Sequence, residues 1–152
     1  MKKIALLAVC AALIATPVLA DTAAELNIAQ NHAGMAAKAA DLKTTQMHLH
    51  HAVNCLVGPS GAGFDAAAGN PCGKAGTGAI PDSSDAAQKA KLQSIADAAG
   101  PGLTTTDLAS AQATAQKTAD AIGGDTDPGI RDGPHHCRRA LVPRRAGCTD
   151  RD

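Results

Sequence analysis

The chain has 152 residues with 14 basic and 14 acidic side chains, six histidines and a formal charge of zero, a balance that argues against nucleic-acid binding driven by phosphate contacts. It holds no Trp or Tyr and one Phe, and much of its 45% hydrophobic fraction is alanine, which buries little area per residue. A large aromatic core is excluded, and a small core of this kind is ordinarily reinforced by a disulfide, a metal or oligomerisation.

Met1-Lys2-Lys3 forms a positive n-region, Ile4 to Ile14 an apolar run, and Pro17-Val18-Leu19-Ala20 a small-residue cleavage site, so residues 1–20 read as a secretory signal peptide. The apolar run is too short to span a bilayer. Val9 before Cys10 is a poor match to a lipoprotein signal. The mature chain is expected to begin at Asp21, in the periplasm or outside the cell, with no stable membrane span after cleavage.

From Asp21 to about Lys43 the sequence is rich in alanine and free of proline, with Leu26, Ala29, Ala33 and Ala40 at helical spacing. The pattern favours one long helix continuing to Val57, bent near Thr44 and ended by Gly58-Pro59. Two helices separated near Lys43 are the alternative. Within this run lies Gln46-Met47-His48-Leu49-His50-His51-Ala52-Val53-Asn54-Cys55. At roughly 100° per residue, His48, His51 and Cys55 at i, i+3 and i+7 share one helix face, and His50 points nearly opposite.

Gly58 to Pro81 holds seven glycines, three prolines and Phe64, with neither helical nor strand periodicity, and reads as a long loop with Phe64 as its apolar anchor. Loops of this length are normally functional or fastened down. Cys72 stands seventeen positions after Cys55, and export permits a disulfide between them, stabilising by roughly 3 kcal/mol in the chain-entropy model. Pairings that use Cys137 or Cys148 compete on paper.

Asp82-Ser83-Ser84-Asp85 offers N-caps for a helix to Ala99, ended by Gly100-Pro101-Gly102. Thr104 to Asp107 then caps a last helix that runs to Ile122 and stops at Gly123-Gly124. The expected fold is all-α, a three- or four-helix bundle over residues 21–124. Residues 125–152 carry all six arginines, and all eight lysines precede them. This segment reads as a disordered Arg-rich tail, and its change of composition points to a stretch not native to the domain, as translation from a shifted reading frame gives.

His48 and His51, with His32 or Met47 completing the set, suit copper or zinc, since imidazole and thioether are ligands for soft and borderline metals. A disulfide-bonded Cys55 supplies no thiolate. His135-His136-Cys137 forms a lesser metal-catching tract. CxxCH, GxSxG, the P-loop and the dinucleotide fingerprint are all absent, so neither haem nor a nucleotide is expected and no enzymatic activity is read. The sequence therefore describes a small non-enzymatic periplasmic binding protein. The rival reading is a structural or envelope-interaction protein with no bound metal, and either leaves room for an unknown protein partner.

The run His48-Leu49-His50-His51, Asn54-Cys55-Leu56-Val57-Gly58-Pro59 and Gly69-Asn70-Pro71-Cys72 resembles a pattern in uncharacterised small exported bacterial proteins with Ala-rich helices. That resemblance implies compartment and architecture, not activity. The Ala- and His-bearing helices are more distantly similar to small periplasmic metal-binding helical bundles. This chain departs from them in having few histidines and none in its last two helices, which implies one metal site at most.

Overall fold

The computed structural model describes residues 21–126. The expected signal peptide, residues 1–20, and the expected tail beyond Thr126 with its cysteines and histidines lie outside the described residues. Among the described residues the fold is all-helical, with five helices and no strand. They are α1 (Thr22–Lys38), α2 (Leu42–Val57), α3 (Ala79–Asp82), α4 (Ala86–Thr104) and α5 (Leu108–Thr126).

The first expected helix is divided. Ala39 adopts extended backbone, and the side chain of Asp41 accepts from the Thr44 N–H at 2.9 Å, which starts α2 with a proper cap. The reversal lets the alanine face of α1 pack. Ala29, Ala33 and Ala36 are fully buried, as are Leu49, Ala52 and Leu56 of α2, whereas an unbroken helix would carry these faces apart. Gln112 of α5 also donates to the Ala39 carbonyl at 2.8 Å, satisfying an acceptor that the turn leaves free. Helix α1 thus lies between α2 and α5, and α4 packs on both α5 and α2.

Two expected helix ends are overridden. Helix α4 runs through Gly100-Pro101-Gly102 to Thr104. Proline inside a helix removes one hydrogen bond, here the one to the Asp97 carbonyl, and tertiary contacts hold the turn that follows it. Gln46 Nε2 donates to the carbonyls of Leu103 at 3.0 Å and Thr105 at 2.9 Å, capping the end of the helix. Gly102 is buried where an added Cβ would come within 2.8 Å of Leu49 and 2.9 Å of Thr114. Here glycine permits contact instead of ending a helix. Helix α5 similarly passes Gly123-Gly124 to reach Thr126, four residues beyond the expected end at Ile122. Its start agrees with the caps in the sequence, with Asp107 accepting from Ser110 N–H at 2.8 Å.

The glycine-rich segment from Gly58 is closed at its base by backbone contact between Gly58 (φ 67°) and Gly78 (φ 120°), where a side chain on either residue would strike the other strand of the loop. It ends earlier than expected, in the single turn of α3. Cys55 and Cys72 form a disulfide with a Cα–Cα distance of 5.3 Å, inside the range a disulfide tolerates. Phe64 packs, partly buried, against the core. No helix among the described residues is long and apolar enough to cross a membrane.

Candidate metal centre

Helix α1 brings His32 opposite the stripe of α2, and the imidazoles of His32, His48 and His51 meet. Their ring centroids are 4.8 Å apart for His32 and His51, 5.5 Å for His32 and His48, and 5.8 Å for His48 and His51. One nitrogen from each lies within 4.8 Å of the other two. The α1–α2 turn produces this convergence: His48 and His51 are one helical turn apart, and His32 is delivered by the antiparallel neighbour.

The edge between His32 Nδ1 and His48 Nδ1 is 3.3 Å. Two nitrogens held about 2.0–2.1 Å from one ion are separated by that much when the angle at the metal is roughly 104–111°, close to tetrahedral. The same pair can share a proton in the absence of an ion, one ring donating and the other accepting.

His51 is more strongly constrained. Its Nε2 lies 2.6 Å from the carbonyl oxygen of Ala68. A carbonyl can only accept, so Nε2 carries the proton and the lone pair of the neutral ring is on Nδ1. That Nδ1 is buried and has no hydrogen-bond partner. A ligand imidazole whose remote N–H is fixed by a backbone carbonyl is a recurrent arrangement at metal sites. The fastening of Ala68 is itself visible: fully buried Asn54 donates to the carbonyls of Asp65 at 2.7 Å and Gly69 at 2.6 Å and accepts from Asp65 N–H at 2.8 Å.

Burial, followed by the neighbouring His51 and His48, pushes the His32 pKa down to about 4. Burial and then His51 lower that of His48. Both rings are therefore neutral at pH 7 and keep a lone pair for a ligand role. Beside His48 opens a groove of about 790 Å³ lined also by Gln30, Met35, Gln116 and Asp120.

Of the residues expected at the site, His32, His48 and His51 converge. Met47 lines a different groove, on the other side of α2 with His50 and Asp65, where its helical position carries it. Cys55, on the histidine stripe, is committed to Cys72. Asn54 and Ala68 are not among the residues expected at the site. A buried-run asparagine was a usable signal, whereas a backbone carbonyl has none in sequence. No family model, curated protein or solved structure matches this chain.

Proposed function

We propose that this chain is a small exported helical-bundle protein, periplasmic or secreted, that binds one copper or zinc ion through His32, His48 and His51 without acting as an enzyme. The observation that supports the reading is the orphaned, buried Nδ1 of His51, turned away from an Ala68 carbonyl that fixes its tautomer, beside two neutral imidazoles. Imidazole suits both metals. Three protein ligands leave a position for water or a small ligand, and the groove beside His48 gives that position room. The buried disulfide accords with an oxidising compartment.

The test is calorimetric titration of the full chain with zinc and with copper, beside a His32→Gln/His48→Gln variant of unchanged helicity. The parent should bind one tight equivalent more than the variant. Equal binding by both would assign the metal to other groups, and no binding by either would favour the structural or envelope-interaction role.

A further inference from the structure

His50 and Asp65, on the side of α2 away from the triad, form an arrangement that the first site does not use. His50 Nδ1 is buried without a hydrogen-bond partner, and the nearest carboxylate oxygen, Asp65 Oδ2, lies 3.5 Å away. This separation is long for an N–H···O hydrogen bond, whose usual distance is about 2.9 Å. It matches two donors on one ion. Bonds of about 2.0–2.1 Å to nitrogen and 2.0–2.2 Å to oxygen span it at an angle of roughly 110–120°.

The carboxylate is held ready. The backbone N–H and carbonyl of Asp65 are both engaged by Asn54, and its Oδ1 accepts from Ala67 N–H at 2.9 Å. Oδ2 is thereby turned to His50. Met47, one helical turn before His50, lines the same groove of about 530 Å³ and is 43% exposed, an unusual position for a large apolar side chain in a protein with so few of them. Lys43 lines this groove too, and its flexible stem lets the ammonium swing outward when a cation enters.

We infer that His50 and Asp65, with Met47 as a soft third donor, form a second metal site for a first-row transition ion. The inference does not depend on the triad, and it exceeds the single site that the count of histidines implied. Nitrogen, oxygen and thioether sulfur together fit copper in either oxidation state, the sulfur favouring Cu(I).

Copper(II) is the probe, because first-row affinities peak there. The full chain and its His50→Gln, Asp65→Asn and His48→Gln variants would be titrated and followed by electron paramagnetic resonance, with circular dichroism to verify helicity. Contributions from residues outside 21–126 are common to every arm. His50→Gln and Asp65→Asn should each remove one equivalent of copper(II) and its distinct spectrum, whereas His48→Gln leaves that spectrum intact. Asp65→Asn keeps the backbone bonds to Asn54, so its loss of binding is not a loss of fold. Met47→Leu should lower Cu(I) affinity about tenfold, roughly 1.4 kcal/mol, with little effect on copper(II). Parent stoichiometry and an unchanged spectrum in both His50→Gln and Asp65→Asn overturn the proposal, whatever the triad does.

Discussion

Where residues 58–78 fold back on α2, a disulfide, the three hydrogen bonds of Asn54 and the His51–Ala68 contact hold the chain. Where α4 meets α5, the buried residues are mainly alanines with Leu92, Ile95 and Ile122, and the helices are joined by the three residues 105–107. The first region is irregular backbone that cannot satisfy itself, so specific polar and covalent fasteners must do so. The second is regular backbone whose bonds are internal, and it needs only close approach. Both proposed metal sites borrow one group from the first region, the Ala68 carbonyl behind His51 and the Asp65 carboxylate beside His50, because fixed carbonyls and carboxylates are by-products of fastening a loop.

Breaking the fasteners should therefore cost most. Reducing Cys55–Cys72, or replacing both cysteines with serine, should lower stability by about 2–5 kcal/mol, read as a shift in the urea midpoint. Asn54→Ala should cost about 2–4 kcal/mol, because two carbonyls and one N–H lose their partner in a buried setting. Amide exchange separates the regions: in either variant, protection should fall across 58–78 and persist in α5. Equal loss in both regions would show that they unfold as one unit and would remove the contrast.

The same contrast explains what could be read beforehand. Caps and periodicity mark helical backbone in α1, α2, α4 and α5 but not the single turn of α3, and helix geometry alone puts His48, His51 and Cys55 on one face. The division at Ala39–Asp41 was harder to see, since Ala39 and Ala40 favour helix and the reason to turn is burial of Ala29, Ala33 and Ala36 against α2. Gly100-Pro101-Gly102 resembled a stop signal because its compensation lies in Gln46, over fifty residues away. His32 was a candidate by type, but only the α1–α2 reversal brings it to His48.

A smaller effect links stability to pH through two groups of α1. Glu25 is buried, its Oε1 accepting from Gly78 N–H at 2.6 Å. Burial, partly offset by that N–H and reinforced by Asp82 and Asp21, raises its pKa from 4.5 to about 7. The folded state thus holds a proton that the unfolded state has released, and this contribution falls as pH rises from about 4.5 to 7. His32 acts oppositely: with its pKa lowered from 6.5 to about 4, the unfolded state binds the extra proton, and stability rises over that interval. His48 shifts in the same direction as His32. The parent should show a shallow dependence between pH 4.5 and 6.5. Glu25→Gln, which keeps an acceptor for Gly78, should expose the rising histidine slope and melt higher than the parent at pH 8. His32→Gln should leave the falling slope. A parent profile already steep in this window, or an unchanged slope in Glu25→Gln, would contradict the opposition.

The finest test lies within the α4–α5 side, at two glycines two positions apart. Both substitutions to alanine improve helix propensity by about 0.8–1 kcal/mol. At Gly100 nothing beyond its chain neighbours lies within 4 Å of the added Cβ, but the ring of Pro101 crowds a Cβ on the helical residue before it, so the two effects oppose and the melting temperature should change little. At Gly102 the new methyl meets Leu49 and Thr114 inside 3.0 Å, and overpacking of about 1–3 kcal/mol exceeds the gain. Gly102→Ala should therefore be destabilising by up to about 2 kcal/mol, from the difference of those two ranges. Because Leu49 stands on α2 between His48 and His50, the strain should also reach the triad and weaken zinc or copper binding in Gly102→Ala, but not in Gly100→Ala. Equal melting temperatures for the two variants would mean that α4 can move away from α2 at little cost, and that close approach through Gly102 is not what holds this side of the molecule.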